Sequence, residues 1–322
     1  MNVALLGGGS WGIALATLLT ENQHTLHWWV HSPEIAQNLQ MTGRHPTIFP
    51  DYVIPTGQIA YVGRELSRIL SEAEVIVGAL PAAYLSEVLQ QPLPPVPYIS
   101  ATKGLIPTEG LLVSQYLERL GRRGPYAVLS GPSHAEEVAQ KHPTWVAFAC
   151  EEPELFQMGR RLFERPYFSL IQTSYLQSLE WSGVLKNVYA IGMGAISLWG
   201  DNARAALAAA IQRELYDVLS ALAPVPLTVY LSPGWVGDFL VTAFSLHSRN
   251  QRFGSYLAQG YSPQAAFQRL SGMVAEGYFT AHHLKSLPGL ARFPILQTIV
   301  SVCTGSAMPQ TLLEQLSAAL ST

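Results

Sequence analysis

The chain opens with an uncharged, mostly apolar stretch, residues 3–19, that three consecutive glycines interrupt. A secretory signal carries positive charge ahead of its apolar run, whereas the first Lys or Arg here is Arg44. A membrane-spanning helix needs about 20 apolar residues, and the glycines would weaken it. The pattern therefore predicts a buried strand over residues 2–6, a tight glycine turn, and a helix from Ser10 to about Thr20.

Short apolar runs bounded by turn residues recur through the first half of the chain and alternate with helical stretches. They predict further strands over residues 25–30, 74–80, 97–101, 126–130, 144–149 and 167–172. This alternation is typical of a doubly wound α/β sheet, in which ligands bind beyond the carboxyl ends of the strands. Pro81, Lys103 and Ser133 each follow a predicted strand end, so we expect them to lie near one another.

The glycine turn has the spacing of a phosphate-binding turn, with Gly7, Gly9 and Gly12 between a strand and a helix. These glycines permit a sharp turn, close approach of the backbone to a pyrophosphate, and tight packing of helix on strand. The N–H groups at the start of the helix then face the phosphates. We therefore expect NAD or NADP as cofactor.

The end of the second predicted strand bears on the choice between the two cofactors. A site that selects NAD commonly places Asp or Glu there, on the ribose hydroxyls. Here the sequence reads Val30-His31-Ser32-Pro33, without an acid. His31 is a candidate neighbour of the adenine ribose that would tolerate a 2′-phosphate, so the sequence favours NADP(H) weakly.

After about residue 174 the pattern changes to helical segments, many of them long and apolar. It predicts helices over residues 179–199, 202–222, 235–246, 263–270, 274–285 and 309–320. We therefore expect an α/β fold of two domains: a Rossmann-type dinucleotide-binding domain at residues 1–174 and an all-helical substrate-binding and catalytic domain at residues 175–322.

Composition narrows the remaining possibilities. Of the 322 residues, 48% are hydrophobic and only 13% are charged, which predicts a large buried interior or a buried subunit interface. The net charge of −3 argues against a nucleic-acid partner. The two cysteines, Cys150 and Cys303, fit a reducing cytosol, so we expect a cytoplasmic protein without stable membrane insertion. His282 and His283 are adjacent rather than spaced as ligands, and we expect no metal site.

Seven motifs follow one another along most of the chain. They are GGGSWG at 7–12, ATKGL at 101–105, SGPSHAEEV at 130–138, SGVLKNVYAIG at 182–192, GDFLVT at 237–242, HSRNQRFG at 247–254 and VAEGY at 274–278. In this order they resemble the bacterial-type NAD(P)-dependent glycerol-3-phosphate dehydrogenase family. The resemblance implies an enzyme that reversibly reduces dihydroxyacetone phosphate to sn-glycerol 3-phosphate and supplies glycerophospholipid synthesis. It implies a small phosphorylated substrate, with a second copy of the chain as a candidate partner.

The resemblance also implies roles for individual residues. Lys186 resembles the catalytic acid/base, and Asp238 and Thr242 resemble its active-site partners. Lys103 resembles a residue that contacts both cofactor and substrate. Further substrate-binding residues are implied at Gly131, Ser133, Ser248, Arg249 and Asn250. Further cofactor-binding residues are implied at Ser10, Trp11, His31, Ala135, Arg249, Val274 and Glu276, beside the three glycines of the turn.

Elementary chemistry agrees with these roles. Reduction of a ketone puts negative charge on its oxygen, where a cationic acid such as Lys186 can donate a proton. A second cation, Lys103, would lower the pKa of Lys186, whereas Asp238 would raise it. The sequence does not decide which effect prevails. Arg249 offers a planar fork of donors for a phosphate, and Asn250 can add an amide donor.

Two other interpretations remain open at this stage. One is a related dehydrogenase that acts on a β-hydroxy acid or ketopantoate, because Arg249 and Asn250 would also bind a carboxylate. The other is a non-catalytic dinucleotide-binding sensor. The sensor is disfavoured by the joint presence of six residues: Lys103, Lys186, Asp238, Thr242, Arg249 and Asn250.

Overall fold

The chain forms two compact units in a computed structural model that describes residues 1–90, 92–245, 248–270 and 274–320. The first unit comprises Met1–Thr102 and Val113–Leu176, and the second comprises Lys103–Leu112 and Gln177–Thr322. The short segment Lys103–Leu112 therefore belongs to the second unit, although the chain of the first unit flanks it on both sides. The sequence pattern does not reveal this excursion.

The first unit is built on a sheet with the strand order β3-β2-β1-β4-β5-β6-β7-β8. The strands are β1 (Asn2–Leu6), β2 (Thr25–Trp29), β3 (Ile59–Gly63), β4 (Val75–Gly78), β5 (Tyr98–Ser100), β6 (Tyr126–Ser130), β7 (Thr144–Ala149) and β8 (Phe168–Thr173). Neighbouring strands from β3 to β6 are parallel, β7 is antiparallel to β6, and β8 is parallel to β7. The predicted doubly wound α/β fold is confirmed.

Helices cover the sheet and explain why its central strands are continuously apolar. They are α1 (Ser10–Glu21), α2 (Pro33–Thr42), α3 (Leu66–Leu70), α4 (Ala82–Val88), α5 (Val113–Arg119), α6 (Ala135–Ala139) and α7 (Pro153–Phe163). All four residues from Val3 to Leu6 are fully buried, as parallel strands require when helices lie on both faces. Strand β3 was not predicted, although its sequence, Ile59–Gly63, is a short apolar run at the edge of the sheet.

Outside the segment Lys103–Leu112, the regular secondary structure of the second unit is helical in the described residues. Its helices are α8 (Leu176–Ala195), α9 (Gly200–Leu222), α10 (Leu227–Tyr230), α11 (Asp238–Phe244), α12 (Arg249–Ala258), α13 (Pro263–Gln268), α14 (Glu276–Leu284), α15 (Pro294–Cys303) and α16 (Thr311–Leu320). The predicted all-helical second half is confirmed. Leu246, inside one predicted helix, lies outside the described residues.

Several predicted helix boundaries differ from the structure, and helices α10, α12 and α15 were not predicted; two of these differences have local reasons. The helix expected over residues 179–199 begins earlier and ends at Ala195, because a 3₁₀ turn and Gly200 at φ +82° follow it. Helix α12 was not predicted because its sequence RNQRFGSYLA is largely polar, and burial of Phe253 and Leu257 supplies its packed side.

No helix in the part of the chain that the structure describes combines the length and apolar character needed to cross a membrane.

Candidate active site

The glycine turn joins β1 to α1 with the geometry that a pyrophosphate site requires. Gly7 has φ +130°, a backbone conformation that residues with side chains rarely adopt, and a Cβ on Gly12 would collide with the carbonyl oxygen of Gly7. The indole of Trp28 holds the turn by donating to that same carbonyl at 2.8 Å. Gly9 precedes α1, and a Cβ placed on it would meet open space among the described residues. The turn therefore fits a dinucleotide, whose phosphates would lie over Gly9 and the first turn of α1.

The remaining candidates of the first unit lie after strand ends or at the start of helices. Ser10 begins α1, and Trp11 packs half-buried against the core. His31 is exposed after β2. Ser133 follows β6 and donates its hydroxyl to the Gly131 carbonyl at 3.0 Å. Ala135 begins α6, and its side chain is buried.

The segment Lys103–Leu112 carries one candidate lysine into the second unit. Leu105 and Leu112 of this segment pack with Val184 and Trp181 of α8, and a bridge between Ile106 and Leu111 closes the segment on itself. Val184 lies two residues before Lys186 on α8, within one helical turn. The side chain of Lys103 is thereby placed beside the catalytic candidates of the helical unit.

Asp238 holds two lysines at once. Lys103 Nζ lies 2.8 Å from Oδ2, and Lys186 Nζ donates to Oδ1. Lys186 Nζ also donates to the hydroxyl of Thr242 at 2.9 Å, and that hydroxyl donates to the Asp238 carbonyl at 2.8 Å. Lys186, Asp238 and Thr242 are buried, whereas the Lys103 side chain is 20% exposed. An ammonium group has three N–H bonds, and Asp238 and Thr242 accept two of those of Lys186. The third N–H has no acceptor among the described residues.

The electrostatics of this cluster answer the question that the sequence left open. Burial lowers the pKa of Lys186, Asp238 opposes that effect, and Lys103 reinforces it, with the result that the pKa of Lys186 falls to about 7. Burial by itself raises the pKa of Asp238, but the two ammonium groups outweigh it and the net pKa is lowered. Asp238 is therefore ionised, and Lys186 can exist in either protonation state near neutral pH.

A π-helical turn aligns Asp238 with α8. The turn, Pro233–Gly237, directly precedes α11, whose first residue is Asp238. Trp235 within the turn is 1% exposed and donates from Nε1 to the Ser178 hydroxyl at 3.0 Å. Because Ser178 and Lys186 both lie on α8, this hydrogen bond joins the turn that precedes Asp238 to the helix that carries Lys186. Nothing in the sequence pattern singled out either Trp235 or Ser178.

A second buried network surrounds Asn187. Its Nδ2 donates to Glu276 Oε2 at 3.3 Å, and its Oδ1 accepts from Asn250 Nδ2 at 3.0 Å. Asn250 Oδ1 accepts from the Gly277 N–H at 3.0 Å. Asn250 therefore joins α8, α12 and α14 by hydrogen bonds. One of its two amide N–H groups has no acceptor among the described residues. A Cβ on Gly277 would clash with the Asn187 carbonyl, which explains the glycine after Glu276.

The last candidates surround the start of α12. Ser248 caps this helix by accepting from the Gln251 N–H at 3.2 Å, and Arg249 is exposed as its first residue.

Val274 is half-buried before α14. His247, which begins one of the quoted motifs, lies outside the described residues. No group of His, Cys, Asp or Glu side chains within the described ranges is arranged to hold a metal.

The first unit has a glycine-rich strand–turn–helix on a doubly wound sheet, and the helical unit has two lysines on one buried aspartate. Together these features are typical of two-unit NAD(P)-dependent dehydrogenases. The sequence model described as NAD-dependent glycerol-3-phosphate dehydrogenase N-terminus matches residues 2–156, and its C-terminal counterpart matches residues 176–314. The chain belongs to the NAD(P)-dependent glycerol-3-phosphate dehydrogenase family.

Individual relatives agree with this assignment. The chain is 34% identical to glycerol-3-phosphate dehydrogenase [NAD(P)+] of Bacillus pumilus over 79% of its own length and 75% of the relative's. It is 35% identical to the Streptococcus pneumoniae enzyme of the same name, over 78% and 76%. The solved glycerol-3-phosphate dehydrogenase of Coxiella burnetii superposes with a TM-score of 0.88 at 26% identity, over 98% of both chains.

Proposed function

We propose that this chain transfers a hydride between NAD(P)H and dihydroxyacetone phosphate, giving sn-glycerol 3-phosphate for glycerophospholipid synthesis. The observation that carries the proposal is Asp238 with Lys186 and Lys103 on its two carboxylate oxygens. Bound NAD(P)H supplies the hydride. The relatives named above are glycerol-3-phosphate dehydrogenases, whereas the β-hydroxy acid and sensor interpretations receive no support from them.

Lys186 is the proposed acid/base of the reaction. During reduction, its remaining N–H donates to the carbonyl oxygen as negative charge develops there, and the proton follows. During oxidation, neutral Lys186 accepts the proton of the alcohol. A pKa of about 7 makes both forms accessible near neutral pH. Asp238 and Thr242 aim the ammonium, and Lys103 adds positive charge beside the developing oxyanion.

The start of α12 is the proposed phosphate site. The first turn of a ten-residue helix presents backbone N–H groups and the positive end of its dipole. Arg249 stands exposed on that turn, and Ser248 and Asn250 flank it. The guanidinium adds a planar, charge-assisted pair of donors. We assign Gly131 and Ser133 of the first unit to the substrate as well.

In this proposal, the two units have different roles. The first unit binds the dinucleotide through its glycine turn, with His31 and Ala135 as further contacts. The second unit supplies the acid/base, the phosphate site and the cofactor contacts Val274 and Glu276. We also propose that the protein is a cytoplasmic homodimer that binds no nucleic acid. The buried free thiols Cys150 and Cys303 fit a reducing compartment, and the net charge of −3 argues against a nucleic-acid partner. Sedimentation of the purified chain tests the dimer.

A substrate comparison tests the proposed function. The purified chain should oxidise NADPH or NADH with dihydroxyacetone phosphate much faster than with ketopantoate or hydroxypyruvate, followed by the absorbance of the reduced nicotinamide. Faster turnover of either carboxylate substrate would reject the proposal. Binding of the dinucleotide without turnover of any of the three would favour a sensor.

Replacement of Arg249 by alanine should weaken use of dihydroxyacetone phosphate while the fold persists. A charge-assisted contact contributes about 1.5–3 kcal/mol, so kcat/KM for this substrate should fall roughly ten- to hundredfold at saturating cofactor. Arg213→Ala is the matched control, because Arg213 is exposed on α9 of the same unit. Equal kcat/KM values for the Arg249 variant and the control would place the phosphate elsewhere.

A further inference from the structure

Arg64 lies beside the end of β2, although more than thirty positions separate the two in sequence. It follows β3 directly, and β3 is parallel to β2 with Trp29 opposite Gly63. The N–H of Val30 donates to the Gly63 carbonyl at 3.0 Å, so the chain that continues into His31 and the chain that continues into Arg64 emerge side by side.

Arg64 differs from the other arginines near this edge in having an unengaged guanidinium. It is exposed, and within the described residues its side chain makes no hydrogen bond or ion pair. Arg44 instead donates to the Pro50 carbonyl at 2.9 Å, beyond the far end of the ten-residue α2, about 15 Å along its axis. Arg68 lies 4.0 Å over the ring of Tyr61.

The surface at Arg64 has room for a ligand group. A groove of about 430 Å³ runs between α2 and β3, and its lining includes Pro33 and Gln37 of α2 and Tyr61, Gly63 and Arg64. Pro33 begins α2 two residues after His31, so Pro33 and Arg64 line the part of the groove that is nearest to His31 along the chain.

The chemistry expected at this place is recognition of the adenosine ribose. In a Rossmann-type site the residues after β2 meet the ribose hydroxyls, where an acid favours NAD. No acid stands at Val30 or His31, and the Ser32 hydroxyl already accepts from the Ile35 N–H at 3.3 Å. A guanidinium is suited to a phosphate because its planar fork matches two phosphate oxygens. Resting on the proposed function, we propose that Arg64 binds the 2′-phosphate of NADPH and sets the preference of this enzyme for NADPH over NADH.

Two nearby carboxylates would repel the 2′-phosphate, and replacing one of them gives a matched variant. Glu34, in the first turn of α2, and Glu65, directly after Arg64, are both exposed. Arg64→Gln should remove attraction for the 2′-phosphate, whereas Glu34→Gln should remove repulsion. The two substitutions should therefore move cofactor preference in opposite directions.

Calorimetric titration with adenosine 2′,5′-bisphosphate and with adenosine 5′-monophosphate tests the assignment without turnover. Arg64→Gln should weaken the bisphosphate relative to the monophosphate roughly ten- to hundredfold, and Arg68→Gln should leave that ratio as in the native chain. The NADPH to NADH ratio of kcat/KM with dihydroxyacetone phosphate should fall by a similar factor. The native preference for the bisphosphate should shrink with added salt, and that dependence should be smaller in the Arg64 variant.

An unchanged ratio in Arg64→Gln, by titration or by kinetics, would overturn the proposal. So would a native preference for NADH above tenfold, because the site would then select against the 2′-phosphate. These outcomes differ from failure of the proposed function, in which neither cofactor supports turnover of dihydroxyacetone phosphate whatever the titrations show.

Discussion

Replacement of Lys186 by methionine is expected to abolish turnover while the dinucleotide still binds. Methionine keeps much of the buried volume but removes the proton donor, and loss of a general acid costs about 10²–10⁴-fold in kcat. It also removes one of the two cations on Asp238. The measurement is kcat with dihydroxyacetone phosphate, together with titration of NADPH followed by protein fluorescence.

The matched control is Lys285→Met, because Lys285 is an exposed lysine of the same unit. The control should retain native kcat. A Lys186 variant with near-native kcat and a native thermal midpoint would remove this lysine from the mechanism. Loss of folding would appear as a lowered thermal midpoint, in which case Lys186→Arg tests the same role with the charge kept.

Asp238→Asn should reduce both stability and activity, and it should displace the pH dependence. The substitution leaves two ammonium groups facing each other without an anion, and breaking a buried ion pair costs about 3–5 kcal/mol of unfolding free energy. Asp238 raises the pKa of Lys186, so its loss should lower that pKa further below about 7. Chemical denaturation measures the stability, and pH profiles of kcat measure the shift.

The sign of the pH effect follows from the direction of the reaction. In the proposed mechanism, oxidation of glycerol 3-phosphate uses neutral Lys186, so kcat should rise with pH through about 7 in the native enzyme and at lower pH in Asp238→Asn. Reduction needs protonated Lys186, so its kcat should fall over the same range. Asp201→Asn is the control, because its side chain is 96% exposed in an ion pair with Arg204. A profile that does not move in Asp238→Asn would contradict coupling between the carboxylate and the lysine.

Elements with a local signature were predictable. Strand β1 is an apolar run, and α1 follows a glycine turn in which Gly7 and Gly12 leave no space for a side chain. Helix α12 lacks such a signature, because its sequence is largely polar and its apolar side is defined only by the residues that pack on it. The antiparallel entry of β7 beside β6 is likewise invisible in a run of apolar residues, since a strand reads alike in both directions.

The candidate site divides in the same way. The motifs around Lys186 and Asp238 identified these residues as candidates, and their catalytic roles stay predictions. Their protonation could not be predicted, because it depends on how burial, Lys103 and Asp238 balance at one point in space. The sequence alone does not predict a role for Arg64, because the chain after β3 is brought beside the chain that leads to His31 only by the pairing of β2 with β3.

By itself, the sequence of this protein determined the class of fold, the glycine turn and the family, because each depends on periodicity or on motifs contiguous along the chain. Only the tertiary structure decided that Lys103–Leu112 leaves the sheet unit to join the helical one, and that one buried carboxylate holds both lysines. Contacts between distant segments and the solvation of a charge are properties of the packed chain. The contacts form, and the pKa values are set, only when folding has brought the groups together and removed the water between them.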